Sequence, residues 1–166
     1  MNKIIKYLII LTLIILMYGC KDEELTLQRV PYTGNEIRTD GYYYSYQVNN
    51  STPPEEFILA FFLYRNGIIL TAGAYNKTDL VNFEHKMMER YKTLVKEKTG
   101  WGIFVVQNNK IEYEQWSTAD GPGGGLPVFK NSYDIVNDTT LINYSGRIYH
   151  FKQFSPKPDS TNNFIK

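Results

Sequence analysis

Phe57-Ile58-Leu59-Ala60-Phe61-Phe62-Leu63-Tyr64-Arg65-Asn66-Gly67-Ile68-Ile69-Leu70-Thr71-Ala72 is two apolar runs split by a short polar break. The first run is apolar on both faces, as in a strand covered on both sides. Asn-Gly between two such runs is a strong hairpin signal. A type I′ turn needs positive φ at both central residues, and these two residue types tolerate it best. The spacing therefore predicts an antiparallel hairpin over 57–72.

Upstream, Gly41 opens a strand over 42–48. Its period of two puts Tyr42, Tyr44 and Tyr46 on one face and Tyr43, Ser45 and Gln47 on the other. Residues 49–54 read as a loop. Downstream, Leu80, Phe83, Met87, Tyr91, Leu94 and Val95 recur at three- and four-residue steps. That pattern predicts one amphipathic helix over 80–99, capped by Asp79 and ended by Gly100. Its basic last turns suit the helix dipole and read as a solvated face.

A second hairpin follows, 101–106 and 110–116 across Asn108-Asn109. Ile111 and Tyr113 face one way, and Glu112, Glu114 and Trp116 the other. A long loop over 117–127, one or two short strands in 128–136, and a last hairpin (139–144 and 147–154) complete the domain. Strands joined by tight turns pair antiparallel, and closing such a meander removes its edges. The expected fold is mainly β: about eight strands in a lipocalin-like up-and-down barrel or strongly curved sheet, with one helix after the third strand. A two-sheet sandwich is the alternative. Fourteen tyrosines and nine phenylalanines among 166 residues favour strands as well.

Residues 20–40 read as a tether and irregular lead-in, and 155–166 as a loosely docked C-terminal tail. Before them, residues 1–19 have the form of a secretory signal: Lys3 and Lys6, a short apolar run, then Gly19 before Cys20. The apolar stretch is shorter than the roughly 18–20 residues a bilayer span requires. Loss of this segment takes the 18 basic and 17 acidic residues to 16 and 17. A net charge near −1 argues against nucleic acid as a partner. With Cys20 the chain's single cysteine, the domain has no disulfide and rests on its core.

Leu16-Met17-Tyr18-Gly19-Cys20 resembles a bacterial lipobox, which implies lipid attachment at Cys20. Lys21-Asp22-Glu23-Glu24 resembles the lipoprotein export signal of Bacteroidota. That implies a lipid-anchored protein on the outer membrane, facing the exterior. At 38–44, 64–67 and 151–162 the chain is similar to a group of small Bacteroidota lipoproteins, a likeness that brings a surface address and no specific chemistry. Asp138-Thr139-Thr140 and Asp159-Ser160-Thr161 resemble the O-glycosylation acceptor motif of the same bacteria, with Thr139 and Ser160 as acceptors.

The chemistry-bearing residues are few. Gly121-Pro122-Gly123-Gly124-Gly125 lacks the Lys-Ser/Thr of a phosphate loop and reads as a flexible hairpin loop. His85 and His150 have no metal-ligand spacing, so no metal or cofactor is expected. Glu112 and Glu114 share a strand face, where a glycosidase-like pair could meet or two surface carboxylates could sit. No catalytic residue is singled out. Tyr42, Tyr44, Tyr46, Tyr113 and Trp116 could line a cavity for a small apolar or glycan ligand, or serve as core packing. The functional readings are a ligand-binding or protein-interaction module, an envelope-assembly accessory docking an envelope protein, and a small cell-surface hydrolase.

Overall fold

The computed structural model describes residues 21–48, 53–76, 80–118 and 125–166. The expectations for residues 1–20, Asp79 and residues 121–124 lie outside them. The order is β1 (Gly41–Val48), β2 (Glu56–Leu63), β3 (Ile68–Asn76), α1 (Leu80–Leu94), β4 (Trp101–Gln107), β5 (Lys110–Trp116), β6 (Val128–Asn137), β7 (Thr140–Asn143) and β8 (Ile148–Gln153). Each strand pairs antiparallel with the next, and β8 pairs with β1, closing the barrel in sequence order. Closure rules out the sandwich. The helix stands after the third strand, as its periodicity predicts.

The hairpins form where the turn residues place them, but the first has a different turn geometry from the type I′ expected. At 64–67 only Gly67 has positive φ, at 80°. The turn is closed by Gly67 N–H to the Tyr64 carbonyl (2.9 Å) and Tyr64 N–H to the Ile68 carbonyl (2.9 Å). This is the three-residue connection with a left-handed glycine, not the type I′ turn. Asn108 and Asn109, with φ of 51° and 61°, give the second hairpin the positive φ at both central residues that a type I′ turn needs. Asparagine tolerates left-handed φ, so two in succession suffice.

The helix ends at Leu94, before the expected 99. The Leu94 carbonyl accepts the buried Trp101 indole N–H at 2.9 Å. The Val95 amide still bonds four residues back, to Tyr91, but those of Lys96 and Glu97 bond three back, which tightens and stops the helix. The region after the long loop is one strand, β6, rather than two.

Two clusters make the core. Tyr43, Phe61, Leu63, Ile69, Phe104, Ile111, Tyr113, Tyr133, Ile135, Leu141 and Tyr149 come from all eight strands and fill the barrel interior. Tyr42, Ile58, Ala60, Phe62, Ile68, Leu70, Trp101 and Ile103 face outward from β1–β4. Phe83 and Met87 of α1 pack on that outer layer. β2 is therefore covered on both sides, which explains its continuous apolar run.

The two terminal segments are docked: the N-terminal one is an irregular lead-in held to the barrel rather than a free tether, and the tail is fixed by specific bonds. Tyr32 and Ile37 join the interior cluster, Ile37 with 1% exposure. Tyr32 N–H bonds the Arg65 carbonyl (2.8 Å), and Arg38 N–H bonds the Asp138 carbonyl (3.0 Å). Residues 30–38 thus plug the barrel end where β1 begins and β8 finishes, here called the proximal end. The Gly67 Cα lies so close to this plug that an added Cβ would sit 2.4 Å from the Val30 carbonyl oxygen. At the other terminus, Lys157 Nζ donates to the carbonyls of Thr39 and Leu63, both at 2.6 Å. Tyr91 donates to the Asp159 carbonyl (2.7 Å), and Ile165 is buried. Both segments lack a hydrophobic period because they are held through backbone and isolated side chains.

Candidate binding site

The barrel interior is asymmetric along its axis. Opposite residues of an antiparallel pair share a face, so the register decides which side chains point inward. At the proximal half they are Tyr43, Leu63, Ile69, Phe104, Ile111, Ile135 and Leu141, beneath the Tyr32–Ile37 plug. Halfway along, rings stack across the interior: Tyr43 on Phe61 (centroids 5.6 Å), Phe61 on Tyr133 (4.9 Å) and Tyr133 on Tyr113 (5.3 Å). Tyr149 meets Tyr133 edge-on at 5.2 Å.

Beyond this stack the inward positions are mixed: Leu59, opposite Ser45, and Phe129, opposite Gln115 and 6.4 Å from the Tyr113 ring, are apolar, and polar groups stand among them. Ser45 lies opposite Leu59, Thr71 opposite Phe61, Asn131 opposite Tyr113 and Asn143 opposite Tyr133. Gln115, opposite Gly102, takes the Thr71 hydroxyl hydrogen bond at 2.8 Å. Ser45 Oγ accepts from Gln47 Nε2 at 2.9 Å. Asn143 is already spent on its turn, accepting from the Ser145 and Arg147 amides. The Tyr113 and Tyr133 hydroxyls are 3.4 Å apart. Burial pushes both phenols above their ordinary range, so they stay neutral hydrogen-bonding groups. The distal half thus sets amides and hydroxyls, with Leu59 and Phe129 among them, over an aromatic floor.

The five aromatics singled out from the sequence do not come together. Tyr113 is interior, while Tyr42, Tyr44 and Trp116 belong to the outer layer. Tyr42 is fully buried under α1 and donates to Glu84 at 3.0 Å. Tyr44 packs on Tyr42 and Tyr46, and Tyr46 is 48% exposed. Trp116 donates its indole N–H to the Glu23 carbonyl at 2.8 Å, with Lys98 Nζ 4.2 Å above its ring. The period of two separates Tyr113 from Trp116 and Tyr42 from Tyr43, and the helix claims the Tyr42 face. The interior partners Tyr43, Phe61, Tyr133 and Tyr149 carry no signal in the sequence beyond their alternation with the outer set.

Glu112 and Glu114 share the outer face of β5 but not an environment. Glu112 is exposed. Glu114 is 3% exposed and accepts from the Thr26 amide and hydroxyl, the Leu27 amide and Lys130. Burial alone would raise its pKa. The bonds from Lys130, Thr26 and Leu27 outweigh that and hold it at about 2. It fastens the N-terminal strap and is no candidate general acid. His85 is exposed on α1 near Glu89, and His150 lies on the outer face of β8 beside Tyr44. Among the described residues no three His, Cys, Asp or Glu side chains cluster as metal ligands.

Lys21, Asp22, Glu23 and Glu24 form the start of the strap. Lys21 and Glu24 pair on the surface at 2.8 Å. Asp22 pairs with Lys98 (2.8 Å) and accepts the Leu126 amide (2.9 Å). Glu23 bonds the Leu126 carbonyl and the Val128 amide. A groove of about 660 Å³ runs between the two terminal segments over Ile103 and Trp116, with Arg29, Lys98 and Lys166 at its edge. Thr139 bonds Asn137 in a proximal turn. Ser160 Oγ accepts from Asn66 at 3.0 Å.

Fold and site together define a closed eight-stranded up-and-down barrel, plugged at one end and lined at the other by amides and hydroxyls interspersed with Leu59 and Phe129. Comparison with known proteins finds no matching family model, curated protein or solved structure. No helix among the described residues is long and apolar enough to cross a membrane.

Proposed function

We propose that this chain is a non-enzymatic, lipid-anchored surface protein of the outer membrane, attached through Cys20, whose barrel binds a small ligand at its distal end. The carrying observation is the interior asymmetry. Tyr32 and Ile37 close the proximal end, and the distal half sets Ser45, Thr71, Gln115 and Asn131 over the Tyr113–Tyr133 stack. Flat apolar faces beside convergent hydrogen-bonding groups suit a ligand with a ring and several hydroxyls, such as a glycan unit or a polar aromatic. Phenols kept neutral by burial suit hydrogen bonding rather than proton transfer. An eight-stranded barrel is of the size that holds either its own side chains or one small ligand. The anchor rests on the resemblance of 16–24 to a lipobox and export signal.

Native mass spectrometry of the full protein, purified in detergent from its own host, tests both parts. The expected species begins at Cys20, carries acyl mass and retains a discrete further adduct. Absence of acyl mass would sink the anchor. Acylated protein without an adduct, and without one after exposure to host envelope extract, would sink the ligand.

A further inference from the structure

We infer that the distal rim of the barrel is a membrane-contact surface, so that the domain stands with that end against the lipid headgroups. This rests on the lipid anchor at Cys20 and adds to it an orientation. The first observation is the missing slack. Asp22 and Glu23 are bonded to Leu126 and Val128, at the β5–β6 connection on the distal end. An added Cβ on Gly125 would meet the Lys21 carbonyl oxygen at 2.4 Å, so the strap backbone lies directly on that connection. One residue, Lys21, separates Cys20 from the first of these bonds. An extended residue spans about 3.3–3.6 Å, so an acylated Cys20 holds this rim at the bilayer surface.

The second observation is independent of the anchor. Among the described residues, eight large apolar or aromatic side chains are conspicuously exposed, and five belong to the distal rim. They are Tyr46 (48%), Val48 (61%), Phe129 (43%), Tyr144 (77%) and Ile148 (46%). They come from the end of β1, the start of β6, the β7–β8 turn and the start of β8, and β6, β7, β8 and β1 are neighbours around the barrel. Phe129 follows directly on Val128, whose amide holds Glu23. The apolar sector therefore borders the point where the chain leaves for Cys20. Apolar side chains and tyrosines facing the bulk would normally be dispersed. Tyrosine beside aliphatic residues is the composition of a membrane–water interface. The orientation also brings the distal half of the interior to the bilayer surface.

The test uses the full lipidated protein on phosphatidylcholine vesicles containing a headgroup-nitroxide lipid. An environment-sensitive thiol fluorophore is placed through Tyr144→Cys or Val48→Cys at the distal rim, and through Val136→Cys at the proximal end; all three positions are exposed. Acylation leaves Cys20 without a thiol, so each variant takes one label. The expected result is loss of emission at 144 and 48 and little loss at 136. Equal quenching at all three, or stronger quenching at 136, on protein that floats with the vesicles overturns the orientation alone. A wild-type chain that takes the label at Cys20 and stays behind when the vesicles float overturns the anchor and the orientation together.

Discussion

Thr26, in the N-terminal strap, gives both its backbone amide and its hydroxyl to the carboxylate of Glu114 on β5. With Leu27 and Lys130 completing the set, the folded carboxyl is held at about 2 against an ordinary 4.5. A depressed carboxyl contributes stability that is present above its unfolded value and lost as pH falls through its folded one. The contribution is therefore whole at pH 7 and drains between about 4.5 and about 2. The shift corresponds to about 3 kcal/mol at most. Glu114→Gln should lose roughly 2–3 kcal/mol at pH 7, measured by urea unfolding. The gap from wild type should close on acidification. A gap that stays constant down to pH 2 would show that the carboxylate charge is not what holds the strap.

The proximal plug yields a second expectation. Ile37 is 1% exposed inside a cluster drawn from every strand. Ile37→Ala should cost about 2–5 kcal/mol, as buried aliphatic truncations do. A chain beginning at Gly41 removes Tyr32, Ile37, Thr26 and Leu27 together and should not form a cooperatively melting barrel. Circular dichroism melts decide the point. A sharp transition from the shortened chain would restore the reading of 20–40 as a tether.

Tyr64 offers a case where removing a polar group should help. Its hydroxyl is buried and has no hydrogen-bond partner among the described residues. An unsatisfied buried hydroxyl costs about 1–3 kcal/mol, and its deletion leaves no second group stranded. The Lys157 ammonium, 3.9 Å over the ring, keeps its aromatic face in Tyr64→Phe. The variant should melt at or above the wild-type temperature. A fall of several degrees would mean that the hydroxyl is bonded after all.

Alternation made the strands and their faces legible, and tight turns made their order legible. Which face is inside was not, and the reason is visible at Tyr42 and Tyr43. Both are fully buried, one under α1 and one in the barrel. When a helix and two terminal segments cover the outside of β1–β4, that outside is as apolar as the interior, and composition cannot tell them apart. The strap and tail were illegible for another reason. The strap is held by Glu114 and Trp116, far along the chain, and the tail by Lys157 reaching the distant carbonyls of Thr39 and Leu63, none of which imposes a period on residues 21–40 or 155–166. The site inherited both gaps, since the tyrosines named from the sequence were mostly the outer ones.

Lys157 pins the tail, and its titration has a definite sign. Its ammonium faces the Thr39 and Leu63 carbonyls, the rings of Tyr64 and Phe62 and, at longer range, the Asp40 carboxylate. Burial pushes it down to about 7, and Asp40 only partly offsets this. A base whose folded value lies below its unfolded 10.5 burdens the fold while protonated. Below about pH 7 the full burden is present. It lifts as pH rises from about 7 toward 10, because the unfolded chain then binds the extra proton. Burial holds the phenols of Tyr43 and Tyr133 above their ordinary range, so their contribution reverses the trend only above about pH 10. Lys157→Met keeps the length of the side chain and removes the charge. The stability of wild type relative to this variant should therefore rise steadily between pH 7 and 10 in parallel denaturant titrations. A difference flat across that range would mean that the two carbonyls and the Tyr64 ring hold the ammonium at its ordinary pKa.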